Sequence, residues 1–297
     1  MKNINPYILL CISIFITLLY GLLRNVYSKK YVKGNADIYL LNTLSTFFSI
    51  IVILISSGGI SKTSFYTIAL GTLYGVSTLG STILNILALT LGPFSYTSVI
   101  ISSSMLIPAL SGAIFWNESV SIWQYIGVGL IVMTLVLSID SKKENRRASF
   151  QWLFCCLGSF VFSGAIGVLQ KAHQNSIYKA EINQFLLIAF LISAAFSAVL
   201  YVINRKRPQP VESGDRKQNI VLGAVSIIIG VCVALANIFN MYLSGVMPSV
   251  FFFPVVNGSN VILSAVAGII ICKEKMSVKQ WCGLCIGIVA ILLLCKM

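Results

Sequence analysis

Two stretches of this chain, residues 63–117 and 218–272, contain no Asp, Glu, Lys, Arg or His, and each is 55 residues long. A helix needs about 20 apolar residues to cross a bilayer, so each run holds two spans and a turn. Gly92-Pro93 marks the turn in the first run, and Ser244-Gly245 with Pro248 marks it in the second. Over the whole 297 residues, 10% are charged and 57% apolar, against about 25% charged in an ordinary soluble domain. These figures exclude a soluble enzyme, a disordered tail and a disulfide scaffold, and point to a polytopic membrane protein.

Charge-poor stretches elsewhere complete a set of ten spans: 6–28, 37–58, 64–90, 94–116, 120–139, 150–171, 181–204, 218–243, 248–272 and 277–296. Spanning segments satisfy their backbone internally, and these runs lack the alternation of barrel strands, so they are expected to be helices. The N-terminal segment has one basic residue, Lys2, and no small-x-small cleavage site, and so reads as a retained first span. All eight cysteines fall in or at the edges of spans, where they act as small apolar residues. The Cys282-x-x-Cys285 spacing has no histidine near it and reads as packing rather than metal binding.

The chain repeats itself. Glu118, Ser121, Gln124 and Gly127 recur as Glu274, Ser277, Gln280 and Gly283, at an offset of 156. Asn85 stands eight residues before Pro93, as Asn240 stands eight before Pro248. The repeats are residues 1–141 and 150–297, joined by a loop at 142–149. Five helices per copy is an odd number, so the second copy enters the membrane from the opposite side. The expected fold is all-α integral membrane, with ten transmembrane helices in two inverted five-helix repeats around a central cavity. Such an arrangement is typical of secondary transporters, with the substrate near the midplane. Glu118 and Glu274 sit in short turns and are expected to be structural, each placed at the positive end of the helix that follows it. Gly127 and Gly283 are expected to let that helix pack closely on a neighbour.

The doubled Glu-x-x-Ser-x-x-Gln-x-x-Gly motif, with ten spans in five-plus-five order, resembles the drug/metabolite transporter superfamily, and within it the EamA-type exporters. The family often has Gly directly before the Glu, where this chain has Asn117 and Lys273. The resemblance implies a secondary transporter in the cell membrane, exporting a small metabolite, amino acid or drug-like solute by alternating access. It implies no cofactor. A coupling ion, H+ or Na+, would supply the energy, since no phosphate-binding Gly-x-x-x-x-Gly-Lys-Ser/Thr is present. Partners are the lipid bilayer and the solute, with no nucleic acid, in a monomer or homodimer.

Polar residues inside spans are costly and mark candidate sites. Arg24 follows Tyr20 by one helical turn, and Lys171 is its counterpart at the end of the sixth span. Both cations either face a cavity, favouring a carboxylate or phosphate, or snorkel to the interface. Asn85, Asn237 and Asn240 lie in the third and eighth spans; Tyr96 and Ser103 in the fourth; Phe252 and Asn257 in the ninth. These ten residues are the candidate substrate contacts, with Tyr74 and Tyr242 behind them. Pro108 and Pro254 free carbonyls inside helices. His173, beside Lys171, is expected to be solvated.

With the N-terminus on one side, the loops of the opposite side hold 16 of the 21 basic residues. The positive-inside rule then expects both termini outside the cytoplasm. The rival readings are an intramembrane enzyme, which would show a convergent catalytic set, and a non-transporting signalling or structural protein, which would show a soluble appendage.

Overall fold

A computed structural model describes residues 5–31, 34–58, 62–91, 94–137, 149–204, 215–272 and 278–294. The Gly92-Pro93 turn and Glu274 lie outside them. All regular structure in the described residues is helical. The helices are α1 (Pro6–Tyr31), α2 (Asn35–Ser57), α3 (Phe65–Leu91), α4 (Phe94–Ser102), α5 (Leu106–Phe115), α6 (Ile122–Leu137), α7 (Phe150–Gln174), α8 (Ile182–Asn204), α9 (Asp215–Val246), α10 (Ser249–Cys272) and α11 (Val278–Leu294). Six of them, α1–α3 and α7–α9, are long and apolar enough to cross a membrane, and four shorter apolar helical segments accompany them.

The expected continuous span at 94–116 is broken. A single 3-10 turn, Ser103–Met105, separates α4 from α5. Pro108 has no N–H for the carbonyl of Ser104, so the α-helical ladder loses a bond there and the chain tightens. The N–H of Leu106 turns to Ser103 and Ser104 instead.

The helices form two compact units, and each is built from two separate stretches of the chain. Unit 1 is Met1–Leu79 with Ser176–Tyr242; unit 2 is Gly80–Asn175 with Leu243–Met297. In unit 1, α2 packs along α8, and Asn42 donates to Ser197 across that contact at 2.7 Å. α9 lies against α2 where Gly230 leaves room: a Cβ there would sit 2.6 Å from the Ser45 carbonyl oxygen and from the Phe48 Cβ. The gap lets Ser49 donate to the Gly230 carbonyl at 2.8 Å. Glu181, just before α8, accepts from the Ser64 N–H (3.1 Å) and hydroxyl (2.8 Å) at the start of α3. A carboxylate there meets the positive end of the helix.

In unit 2 the main pairings are α6 with α11 and α5 with α10. The repeated glycines make the first of these reciprocal. A Cβ on Gly127 of α6 would lie 2.9 Å from Leu294 of α11, and one on Gly283 of α11 would lie 3.0 Å from Leu137 of α6. This is the close packing expected of those two positions. α6 begins with a capping box: the Ser121 N–H donates to Gln124 Oε1 at 3.0 Å, and the Gln124 N–H donates to the Ser121 hydroxyl at 3.3 Å. Each of these bonds satisfies a backbone donor that the first helical turn leaves unpaired. In the sequence, Ser121 and Gln124 showed only as a helical spacing.

Candidate functional site

Unit 1 contains a polar seam. On α1, Ser13, Thr17, Tyr20, Arg24, Tyr27 and Tyr31 recur at intervals of four and three residues, which aligns them on one helix face. Its lower part packs into the protein: Tyr20, Leu23, Tyr27 and Tyr31 join Leu41 of α2 and Ile229 and Val233 of α9 in one cluster. Its upper part meets α9 through the Ser13 hydroxyl, which donates to Asn240 Oδ1 at 2.7 Å. The facing stripe of α9 reads Ser226, Ile229, Val233, Asn237 and Asn240. The two helices run antiparallel, Ser13 level with Asn240 and Tyr20 near Val233. Asn237 accepts from the Tyr74 hydroxyl of α3 at 2.9 Å and donates to the Val233 carbonyl at 2.9 Å.

Arg24 therefore lies on a packed face between Tyr20 and Tyr27 and is half-buried, rather than snorkelling outward. Two hydroxyls on the seam, those of Thr17 and Ser226, are buried with no hydrogen-bond partner among the described residues. The sequence reading missed both. The four-three spacing of α1 was the available signal for Thr17; nothing marked Ser226.

Unit 2 holds a different arrangement. Lys171, near the end of α7, is 4% exposed and forms an ion pair of 2.5 Å with Glu118, which is 15% exposed. Lys171 also donates to the Met247 carbonyl at 3.1 Å, just past the C-terminus of α9. Glu118 accepts from the Ser249 N–H at 2.6 Å, the first residue of α10. Each charge thus sits at a helix end of opposite sign. The helix start that Glu118 meets is that of α10, not that of the α6 which follows it in sequence. Gly112 is required there, since a Cβ would run into the Glu118 carboxylate and the Ser249 side chain. Asn117 turns the chain with φ +49°, a left-handed conformation that favours Gly and tolerates Asn. An open cavity of about 450 Å³ lies over the pair, walled by Trp116, Asn117, Ser119 and Asn175 and by the residues joining α9 to α10.

Lys171 is thus engaged by an ion pair and a hydrogen bond rather than free in a cavity. Its neighbour His173 is buried rather than solvated, 3.2 Å from the Gln174 side-chain nitrogen. Of the other candidates, Asn85 is half-buried on the part of α3 that belongs to unit 2. It lies one turn past Ser81, whose hydroxyl meets that of Ser163 on α7 at 2.6 Å. Ser103 donates to the Val99 carbonyl. Phe252 is buried edge-on to Phe253. Asn257 is exposed and donates to the Phe253 carbonyl. The Tyr96 side chain lies outside the described residues. Tyr242 is half-buried on α9. The structure brings Tyr20, Arg24, Asn237 and Asn240 to one seam, and sets Asn85, Ser103, Lys171, Phe252 and Asn257 in the other unit. Cys282 and Cys285 are free thiols exposed on α11, and no group of metal-ligating residues occurs among the described residues.

Residues 150–295 match the EamA-like transporter family. No curated protein matches the chain. Among solved structures, a chain described only as the crystal structure of a protein superposes with a TM-score of 0.73 at 14% identity. The match covers 96% of this chain and 97% of that one, and at this identity it carries the fold alone.

Proposed function

This chain belongs to the EamA-like transporter family, and on that premise we propose that it moves a small metabolite, amino acid or drug-like solute across the cell membrane. In this reading it is an exporter, working by alternating access and driven by a coupling ion. The observation that carries the proposal is the α1–α9 seam. It is a line of polar groups, with one cation, running along two helices of unit 1. Such a line has no structural necessity in a membrane bundle and is costly to keep. The finer architecture belongs to the proposal: ten spans in two inverted repeats, 1–141 and 150–297, about a central cavity. Three features support it. The family match begins at residue 150, where the second repeat is placed. The helices that pair, α2 with α8, α5 with α10 and α6 with α11, are counterparts in the two repeats. The repeated glycines pack reciprocally.

Counterflow into proteoliposomes tests the function. Vesicles preloaded with one unlabelled solute should take up its labelled form, and protein-free vesicles should not. Folded protein, shown by a cooperative melt, that supports no counterflow across a panel of amino acids, organic acids and organic cations would overturn the proposal.

A further inference from the structure

We propose that the α1–α9 seam recognises a carboxylate on the solute, with Arg24 as the counter-charge and the hydroxyls of Tyr20 and Ser226 as supporting donors. The inference rests on the transport reading for calling the bound molecule a solute; the binding chemistry stands on the seam itself.

Arg24 is held inward by its place between Tyr20 and Tyr27, which pack against α2 and α9. A guanidinium cannot shed its proton in a protein and has five donors to satisfy. Among the described residues, the Tyr20 hydroxyl, one turn away, is a polar group near enough to feel its charge. Unit 1 has two acids with described side chains, and both are engaged at helix ends: Asp37 accepts from the Gly34 N–H, and Glu181 from Ser64. Lys171 provides the contrast, since it meets a carboxylate and a carbonyl within its own unit.

The second observation is independent of the arginine. Thr17 Oγ1 and Ser226 Oγ are buried without a partner, and Ser226 is 0% exposed. A serine or threonine inside a helix ordinarily donates to the carbonyl four residues back, as Ser45 does to Leu41 at 2.7 Å. A buried hydroxyl without such a bond bears the full desolvation cost. By the register of Ser13 with Asn240 and Tyr20 with Val233, Ser226 on α9 lies level with Tyr27, about one turn from Arg24, whereas Thr17 lies two turns from Arg24, near the level of Asn237. An unsatisfied buried hydroxyl within about one turn of a cation suits an oxyanion. The charge count selects its kind. One cation neutralises one carboxylate, whereas a phosphate dianion would leave a net negative charge inside the membrane, where charge is expensive. The seam's amide oxygens, on Asn237 and Asn240, already accept from Tyr74 and Ser13 and do not compete for the guanidinium.

The test uses the full chain in lipid nanodiscs, with thermal melting as the readout and matched probes. The probes are phenylacetate, indole-3-acetate and leucine, the amide of each, and phenyl phosphate. At least one carboxylate should raise the melting temperature in a saturable way, with its amide and phenyl phosphate at least tenfold weaker. Arg24→Gln should weaken that carboxylate about 100-fold, and Arg24→Lys, which keeps the charge but loses the fork, about tenfold. Ser226→Ala should weaken it about threefold to tenfold, and Thr17→Val, two turns away, should stay within about twofold. Lys62→Met, an exposed lysine outside the seam, should behave as wild type. If Arg24→Gln fails to fold, the lysine and hydroxyl variants still decide. Equal stabilisation by acid and amide would overturn the inference, as would unchanged affinity in the Arg24 variants or a panel in which no carboxylate shifts the melt. Carboxylate binding without counterflow would instead remove the transport reading and leave this one standing. Counterflow that is indifferent to Arg24 would do the reverse.

Discussion

Arg24 and Lys171 are matched cations in the sequence, one near the end of the first helix of each repeat, and the structure treats them in opposite ways. Lys171 is closed into an ion pair with Glu118, and the two charges are backed by the C-terminus of α9 and the N-terminus of α10. Arg24 lies among tyrosines and unpartnered hydroxyls. A buried charge that is fully paired holds elements in place and has little left to offer a ligand. One that meets no acid among the described residues leaves its attraction to be met by something that arrives. Substitution should therefore separate stability from function: altering the Lys171 site should unfold the protein, and altering the Arg24 site should silence it.

The largest expected effect is at Glu118. Glu118→Gln leaves Lys171 buried without its counter-charge and should cost about 3–5 kcal/mol, read as a lowered melting temperature. Lys171→Met should cost less, about 1–2 kcal/mol, because Glu118 still accepts from Ser249 and is the more exposed partner. The double variant should melt above Glu118→Gln alone. If the two single losses simply add, the pair is not coupled and the contrast with Arg24 fails. Arg24→Met is the counter-experiment. It removes a charge that meets no acid among the described residues, so melting should hold or rise while carboxylate binding disappears. A melt that falls as far as that of Glu118→Gln would make Arg24 structural.

Steric probes sharpen the same contrast at intermediate size. Gly112→Ala drives a methyl into the Glu118 carboxylate and Ser249, and should cost about 1–3 kcal/mol. Gly230→Ala pushes α9 away from α2 against the Ser45 carbonyl, with a similar loss. The second change also disturbs the α9 face of the seam, so it should lower carboxylate affinity, whereas Gly112→Ala should not. Comparing both readouts for the two variants separates a seam that binds from one that only packs.

What could be read from sequence follows from the range of the forces involved. Helix positions are set locally by the need to satisfy a backbone in lipid, so α1 at Pro6–Tyr31 and α10 at Ser249–Cys272 lie close to the expected 6–28 and 248–272. Pro108 and the pair Gly127 and Gly283 were also visible, because a missing N–H and a missing Cβ act where they stand. Glu118 was placed in its turn, yet which helix end it reaches depends on α10 arriving from 131 positions downstream. The partners of Lys171 were not legible because no nearby residue shows that Glu118 and the Met247 carbonyl converge on it, and the burial of His173 was equally hidden. Thr17 was legible in spacing but not in meaning: an unpartnered hydroxyl is a statement about everything around it. Asn117 replaced the family's usual glycine, and its positive φ gives the reason that Asn serves.

The smallest expected effect lies within the seam itself. Tyr74→Phe deletes one hydroxyl that donates to Asn237 at 2.9 Å. Interhelical bonds of this kind in membranes contribute about 0.6 kcal/mol on average, so the melt should fall only slightly. Asn237 lies eleven residues from Ser226 along α9, about 16 Å at 1.5 Å per residue. A carboxylate seated between Arg24 and Ser226 is thus distant from the deleted bond, and its affinity should stay within about twofold of wild type. A tenfold loss in Tyr74→Phe with an unchanged melt would move the anion's seat up the seam, to the level of Asn237 and Asn240. Arg24 would then be too far away to hold it, so this mild substitution fixes where along α1 the recognising charge acts.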